Sequence, residues 1–221
     1  MFEQIFSFIA PHNCLNCQKE GSLLCYECQR QLPAASACYR CGRLISSHNI
    51  CSTCQMITPF QKMFAATSYD CIGKDLVHKI KFNRAKNAAL PLAQCLAQRL
   101  PLGIGVNEAL IMHIPTATSR IRMRGYDQAA LIAAHFARIK DSHHTPLLRR
   151  NGQQRQLGKG RSERLEQMRH RFYLAHPRLV ESKDIILIDD VVTTGATMDA
   201  AANVLKHAGA RHVYGLVFAL A

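Results

Sequence analysis

The chain has 221 residues, 48% of them hydrophobic and 19% charged, and its formal net charge is +13 at pH 7. This length is enough for a full α/β core with one small additional module. No run approaches the roughly 18 consecutive apolar residues of a membrane-spanning helix, so we expect no transmembrane segment. The short apolar N-terminus lacks a basic flank and a cleavage-like site, which argues against a signal peptide. We therefore expect a cytoplasmic protein whose thiols are reduced.

Cysteines dominate the first quarter of the chain. Eight of the ten form four Cys-x-x-Cys pairs, with 7, 9 and 9 residues between consecutive pairs. A disulfide framework is not expected in a reducing compartment, and a redox motif needs one pair in a βαβ unit rather than four in series. Because two such pairs complete a tetrahedral Cys₄ site, we predict two Zn²⁺ ions, bound by Cys14, Cys17, Cys25, Cys28, Cys38, Cys41, Cys51 and Cys54.

Residues 1–58 are therefore predicted to form a double zinc-ribbon module, in which metal binding supplies the folding energy. We favour sequential sites, in which the first two pairs share one ion and the last two pairs share the other, because each loop then closes locally. A cross-braced arrangement, with the first pair joined to the third and the second to the fourth, is the alternative. Bound zinc would lower the formal charge from +13 to about +9. The remaining cysteines, Cys71 and Cys95, are predicted core residues.

Residues 59–221 are predicted to form a second domain in which strands and helices alternate. This alternation indicates an α/β fold with a parallel sheet and helices on both of its faces. Residues 116–125 read as a polar, basic loop. The expected strands are Phe64–Asp70, Ala109–Pro115, Thr145–Leu148, 185–189 and Arg211–Ala219, and the expected helices are Lys74–Phe82, Asn87–Leu100, Tyr126–Lys140 and Met198–His207.

The segment Arg149–Arg171 carries eight Arg or Lys residues against two Glu. One interpretation is a solvated surface loop, since charge runs are usually just that. Another is a mobile lid that covers a pyrophosphate and neutralises its charge. The same cations could also follow a nucleic-acid backbone. The sequence leaves these alternatives open.

The most informative segment is Asp184–Thr197. Its aliphatic residues 185–188 predict a central strand buried on both faces, and Asp189 and Asp190 mark the carboxyl end, where ligands of open α/β sheets bind. The Thr193–Thr197 turn and the helix after it supply backbone N–H groups, hydroxyls and a helix N-terminus, which attract phosphate. Two carboxylates repel phosphate, but they suit ribose hydroxyls or a Mg²⁺ ion that bridges hydroxyl and phosphate oxygens.

At all thirteen positions, Ile185–Thr197 resembles the phosphoribosyl pyrophosphate (PRPP) signature of type I phosphoribosyltransferases. Together with the cysteine pairs, the chain resembles the ComF family of competence proteins, which join an N-terminal zinc-ribbon region to a phosphoribosyltransferase domain. Two departures are His113, where the family often has Pro, and Asp127, where Asn is common. The resemblance covers nearly the whole length and also includes Lys79-Ile80-Lys81-Phe82, Arg120 with Arg124-Gly125-Tyr126-Asp127-Gln128, Gln156-Leu157, and the stretch from Arg164 to Phe172.

The resemblance implies a type I phosphoribosyltransferase-like parallel sheet that binds PRPP with Mg²⁺, or a nucleotide 5′-phosphate. It implies that Asp189 and Asp190 bind the ribose hydroxyls. Arg120 and Lys81 are our candidates for pyrophosphate contacts, and with the two acids they would form the catalytic set if turnover occurs. No acceptor base is identified. The 5′-phosphate would be bound by Thr193, Thr194, Gly195, Ala196 and Thr197.

The resemblance also implies a role in natural transformation and DNA uptake, with single-stranded DNA and other competence proteins as partners. The basic charge fits a nucleic-acid partner, although aromatic residues make up only 7% of the chain and Trp is absent, which leaves few stacking platforms. Two other functions stay open. One is a nucleobase-salvage or amidophosphoribosyl transferase with a structural zinc module, and the other is a non-catalytic PRPP-fold or zinc adaptor.

Overall fold

The computed structural model describes residues 13–46, 48–82, 86–151 and 171–221. Its centre is a parallel sheet of four strands, β1 (Lys62–Ser68), β2 (Leu110–His113), β5 (Asp184–Val192) and β6 (His212–Leu220). Two shorter strands, β3 (Leu148–Arg150) and β4 (Phe172–Leu174), form a separate antiparallel pair. The strand order in the main sheet is β1-β6-β5-β2.

Strand β5 is hydrogen-bonded along both edges, to β6 and to β2. Residues 185–188 have no exposed surface, as expected of a continuous aliphatic run inside a parallel sheet. The strand is longer than predicted and continues through Asp189 and Asp190 to Val192. The two acids therefore lie in the last part of the strand, near the carboxyl end that they were expected to mark.

Helices pack on both faces of this sheet. Within the described ranges no helix has both the length and the apolar character needed to cross a membrane. Two short 3₁₀ helices, Lys86–Ala88 and Pro177–Leu179, also lie in the described part of the chain. The α-helices of the same residues are α1 (Tyr26–Arg30), α2 (Ser52–Gln55), α3 (Cys71–Phe82), α4 (Ala89–Arg99), α5 (Thr118–Arg124), α6 (Gln128–Ile139) and α7 (Ala196–His207).

The side chains of β5 alternate between two hydrophobic cores. Ile186 and Ile188 belong to one core with α3, α4 and α6. Ile185 and Leu187 belong to the other with α7 and the β3–β4 pair. Cys95 is buried in α4, whereas the predicted burial of the Cys71 side chain lies outside what the structure describes. The predicted α/β class, a parallel sheet flanked by helices, is confirmed.

The two cysteine groups pack on opposite faces of the sheet. Cys14 and Cys28 are buried in the core that contains α4, and Gln29 beside them donates from Nε2 to Gln94 Oε1 of α4 at 2.8 Å. Cys38 and Cys54 are instead buried in the core that contains α7. The N-terminal residues thus contribute to the packing of both faces.

Two local predictions are wrong. Residues 116–125 were expected to be a loop, but they contain helix α5. The second half of this helix has good helix formers. Gly125 caps its C-terminus in the left-handed conformation, with a φ of 86°. The strand expected at Thr145–Leu148 begins only at Leu148 and pairs with β4, because Pro146 has no N–H to donate to a sheet. The remaining predicted elements are present, with ends shifted by a few residues.

The basic segment Arg149–Arg171 is described only at its ends. Leu148–Arg150 pairs with Phe172–Leu174, and the Asn151 N–H donates to the Arg171 carbonyl at 3.0 Å. The interpretation of this segment as a lid, and the Gln156-Leu157 motif, lie outside the described residues. Arg150 and Arg171, in contrast, have defined positions beside the pocket described next.

Candidate functional site

A cavity of about 490 Å³ opens at the carboxyl edge of the parallel sheet, where β2 and β5 end. This is the edge at which open α/β sheets bind ligands, and the volume suits a small molecule. The cavity brings together Lys81 from α3, the loop after β2, the β3–β4 pair and the whole segment from Asp189 to α7. Its walls include Lys81, Thr116, Ser119, Arg120, Arg150, Arg171, Asp189, Asp190 and residues 193–197.

Asp189 and Asp190 lie side by side in the cavity wall. The Asp190 N–H donates to Asp189 Oδ1 at 2.8 Å, and Lys81 Nζ lies 3.0 Å from Asp190 Oδ2 as an ion pair. Burial and the nearby Asp190 carboxylate raise the pKa of Asp189 well above its ordinary value. One lysine therefore only partly compensates the negative charge that these two carboxyl groups can carry.

The turn after β5 is shaped by Gly195, whose φ of 73° is favourable for glycine. Helix α7 begins directly after it, and the Asp199 N–H donates to the Gly195 carbonyl at 2.9 Å. The start of a three-turn helix thus faces the cavity together with the hydroxyls of the turn. Backbone N–H groups and the helix dipole at such a position favour an anion.

Four cationic side chains line the cavity against its two carboxylates. Lys81 and Arg120 were expected from the sequence, whereas Arg150 and Arg171 were only two of many cations in a basic segment. Arg171 Nη1 donates to Thr197 Oγ1 at 3.4 Å. Burial, reinforced by Arg171 and Arg120, lowers the pKa of Arg150. This crowding of positive charge indicates a site built for a multiply charged anion.

The loop after β2 is fixed by Asp127, the N-cap of α6. Its carboxylate accepts from the Thr116 N–H at 2.8 Å and from Thr116 Oγ1 at 2.9 Å, as well as from the first turn of its own helix. His113 Nε2 lies 3.7 Å from Asp127 Oδ2. The two departures from the family pattern are thus neighbours, and Asp127 fixes the loop that leads into helix α5 and its Arg120.

The sulfur atoms of the eight paired cysteines form two separate groups, each with its atoms within 4.8 Å of one another. One group contains the first two Cys-x-x-Cys pairs and the other contains the last two. This grouping matches the sequential arrangement and not the cross-braced one. Four thiolates at these separations are the donor set of a structural zinc site, so the residues fit the ion.

The two groups repeat the same local structure. Gln18 and Gly42, each four residues after the first cysteine of its group, have φ values of 62° and 71°, and each donates its N–H to that cysteine's carbonyl at 2.9 Å. Burial opposes ionisation of Cys14 and Cys38, but backbone N–H groups around them outweigh it and lower the pKa of each thiol to about 6. Burial instead raises the pKa of Cys28 and Cys54 to about 12, so each group combines a thiol that ionises readily with one that does not.

The fold and these sites define the class: an α/β protein with a cation-lined pocket at the carboxyl edge of a parallel sheet and two groups of four cysteines. Among known proteins, the chain is 30% identical over 166 residues to DNA utilization protein YhgH of Salmonella typhi, which covers 70% of each chain. It is 38% identical over 100 residues to competence protein ComFC of Bacillus subtilis, which covers 45% of this chain and 39% of that one. No family model matches.

The chain belongs to the ComF family, which includes these relatives. It therefore has the phosphoribosyltransferase-like fold, joined to a cysteine-rich module, that its sequence predicted. Two solved structures are also similar, at 19% identity: the allosteric regulatory enzyme of purine biosynthesis, with a TM-score of 0.47, and glutamine PRPP amidotransferase from B. subtilis complexed with ADP and GMP, with a TM-score of 0.46. They cover 64% and 63% of this chain, and 30% of each of those chains.

Proposed function

We propose that the pocket binds PRPP, or a nucleotide 5′-phosphate, and that the protein uses this ligand in DNA uptake in the cytoplasm. One observation carries the proposal: two adjacent carboxylates and a helix-start turn share a single cavity with four cations. The carboxylates match ribose hydroxyls, while the turn and the cations match phosphate groups at two ends of the same sugar. The names of the relatives, DNA utilization protein and competence protein, support the process.

Each part of the pocket has a distinct task in this proposal. Asp189 and Asp190 accept hydrogen bonds from the ribose 2′- and 3′-hydroxyls, and residues 193–197 hold the 5′-phosphate. Lys81 and Arg120, with the arginines of the β3–β4 pair, bind the pyrophosphate. The paired carboxylates also fit Mg²⁺, which proteins bind through one or two carboxylates plus substrate phosphates. When bound, the ion would neutralise charge on the pyrophosphate.

The same arrangement would support phosphoribosyl transfer. The bond between ribose C1 and the pyrophosphate oxygen breaks, the acceptor bonds to C1, and the pyrophosphate leaves with the bonding electron pair. Cations fixed beside the leaving group stabilise its growing charge. Lys81 is paired with Asp190 at 3.0 Å and lines the same cavity, so in this proposal it links the ribose-binding acid to the pyrophosphate.

Calorimetric titration with PRPP and Mg²⁺ tests the ligand. The Asp189→Ala/Asp190→Ala variant should lose PRPP binding, and a transformation assay with the same variant should fail. Asp184→Ala is the matched control, because this acid lies at the opposite end of the same strand, paired with Arg211 at 2.8 Å. Transformation that survives the loss of PRPP binding would show that the pocket has no part in DNA uptake.

Turnover separates an enzyme from a binding protein. A salvage or amidophosphoribosyl enzyme should release pyrophosphate from PRPP in the presence of one nucleobase or an ammonia donor. If no nucleobase or ammonia donor of a full panel causes pyrophosphate release, that enzyme activity is excluded. The protein would then be a PRPP-responsive adaptor for other competence proteins.

Single-stranded DNA is the second proposed partner, since the chain carries a formal charge of +13 before metal binding. Electrostatic binding to single strands loses affinity with salt, with a logarithmic slope of roughly −0.7 per neutralised phosphate. A fluorescence-anisotropy titration at several salt concentrations measures this slope. Binding that does not depend on salt would contradict the electrostatic interpretation.

A further inference from the structure

The second cysteine group contacts the phosphate-binding turn directly. Tyr39 and Arg40 are the two residues between Cys38 and Cys41, and both reach Asp199 in the first part of α7. Tyr39 Oη donates to Asp199 Oδ1 at 2.6 Å, and Arg40 Nη1 forms an ion pair with Asp199 Oδ2. The two carboxylate oxygens are thus held by consecutive residues of one metal-binding turn.

The ring of Tyr39 also covers the back of the turn. Tyr39 is 2% exposed, and a Cβ added to Gly195 would lie 2.7 Å from its Cε2 atom. The hydroxyl is further fixed by a short hydrogen bond with Thr58 Oγ1, and the ring packs edge-on against Phe60, with centroids 5.9 Å apart. The conformation of residues 193–197 therefore depends on where the Cys38–Cys41 turn holds this ring.

Asp199 gives this contact an electrostatic consequence. A carboxylate suits the first turn of a helix, but it also competes with an anion bound at the same helix start. Arg40 neutralises that carboxylate, and its side chain remains partly exposed, at 35%. Without Arg40, an uncompensated negative charge would lie one helical turn from the proposed phosphate site.

We propose that Tyr39 and Arg40 are positioning residues for the anion site, so that metal binding by the second cysteine group and anion binding in the pocket are thermodynamically linked. The inference rests on the proposed function, because the turn it concerns is the proposed 5′-phosphate site. Linkage is reciprocal: an ordered metal site raises anion affinity, and a bound anion stabilises the metal site by the same factor. The first cysteine group, on the other face of the sheet, takes no part.

A double-mutant cycle of charge-neutralising substitutions tests the electrostatic part, with ribose 5-phosphate as the probe in calorimetry. Arg40→Gln should weaken binding roughly tenfold, within the usual range of coupling between two sites, whereas Asp199→Asn alone should not weaken it. The double variant should recover most of the affinity, since the uncompensated charge is then absent. Arg43→Gln, an exposed arginine of the same cysteine group, is the matched control and should bind like the unmodified protein.

Hydrogen exchange tests the positioning part without any ligand. In zinc-loaded protein, Tyr39→Ala should speed amide exchange in the peptide that covers residues 193–199, and Tyr39→Phe, which keeps the ring, should have a smaller effect. Tyr26→Ala is the control, because Tyr26 lies in the first cysteine group, on the other face of the sheet, and is 61% exposed. Zinc content should stay at two ions per chain in every variant.

The two experiments separate this inference from the proposed function. Unmodified protein that binds neither ribose 5-phosphate nor PRPP would refute the proposed function, and the exchange data would still decide the positioning role. Unchanged exchange at residues 193–199 in folded Tyr39→Ala and Tyr39→Phe would overturn the inference. So would equal losses of affinity in Arg40→Gln and Arg43→Gln, or a double variant that shows no recovery.

Zinc affinity gives the reciprocal measurement. Equilibrium competition with a colorimetric chelator should resolve two zinc sites, one for each cysteine group, and saturating ribose 5-phosphate should raise the zinc affinity of only one of them, by roughly fivefold or more. Arg40→Gln should abolish this effect. An equal rise in the affinity of both sites, or of neither, would contradict the linkage.

Discussion

Among single residues, Asp189 contributes to the site at a cost in stability. Burial and Asp190 raise its pKa well above the ordinary value, whereas an Asp in an unfolded chain titrates near about 3.9. Over the interval between these two pKa values the folded protein holds a proton that the unfolded chain has released. The free energy of unfolding therefore falls as the pH rises from about 4 through the folded pKa.

Asp189→Asn removes this titration, so we expect it to raise the free energy of unfolding near neutral pH by about 0.5–2 kcal/mol, as replacements at strained functional sites commonly do. The gain should shrink as the pH approaches about 4. Urea unfolding at several pH values measures it. The same variant should bind PRPP more weakly, which separates stability from function.

Asp184→Asn is the control, because it should change the free energy of unfolding in the opposite direction. The hydrogen bonds from Arg211, with those from His212, lower the pKa of Asp184, so its contribution to stability is present at neutral pH and is lost as the pH falls through the folded pKa. The variant should therefore be slightly less stable near neutral pH, and the difference should vanish in acid. Destabilisation by Asp189→Asn near neutral pH would contradict the proposed cost.

The sequence predicts the residues of the pocket that belong to one continuous segment, from Asp189 to Thr197. It also points to Lys81 and Arg120, through motifs that resemble those of the family. It does not distinguish Arg150 and Arg171 from the other cations around them, because their proximity to the pocket depends on the pairing of β3 with β4. Tyr39 and Arg40 are missed altogether, since their contact with Asp199 spans about 160 residues of sequence.

At the scale of elements, the join between β5 and α7 depends on one glycine. Gly195→Ala should destabilise the protein, because φ there is 73° and the new Cβ would meet the Tyr39 ring at 2.7 Å. We expect a loss of about 2–5 kcal/mol, the sum of a left-handed backbone penalty of about 1–2 kcal/mol and an overpacking cost of about 1–3 kcal/mol. Thermal or urea unfolding of the zinc-loaded protein measures the loss.

Gly42→Ala isolates the backbone part of that loss. Gly42 has a φ of 71°, and nothing lies within 4 Å of an added Cβ, so only the conformational penalty remains. The difference between the two variants gives the cost of displacing Tyr39 from the turn. Equal losses would show that the ring yields freely and does not shape the turn.

Periodicity and aliphatic runs predict the parallel sheet and most of its helices, because buried strands and amphipathic helices have local signatures. Helix α5 is missed, since its surface-exposed polar residues resemble a loop. Strands β3 and β4 have three residues each. Strands this short form because they pair with each other, and their own composition gives little local signal. Helix α5 carries Arg120 and strand β3 carries Arg150, and Arg171 directly precedes β4.

For the whole molecule, the cysteine groups and the sheet form a shared core. The first group packs with α4 on one face and the second packs with α7 on the other. Although the sequence predicts the metal ligands, it does not reveal that the two sites lie on opposite faces, because that depends on how residues 29–37 cross between them. Zinc binding is therefore expected to stabilise the entire chain and not only residues 1–58.

Zinc removal tests this shared core. Chelation should lower the midpoint of the main unfolding transition by at least about 10 °C, since metal binding contributes several kcal/mol and each kcal/mol shifts the midpoint by about 2–4 °C in a chain of this size. Far-UV circular dichroism is the suitable probe, because the chain has no Trp. Restored zinc should restore the midpoint.

Paired substitutions assign the effect to each face. Cys14→Ser/Cys17→Ser and Cys38→Ser/Cys41→Ser should each remove one zinc ion. Each should lower the same main transition, because each removes the metal that joins the cysteines of one group beside one of the two cores. Only the second variant should also weaken ribose 5-phosphate binding, since only that group contacts the turn at Gly195. A main transition that stays in place after zinc loss would show that the parallel sheet is complete without its metal sites.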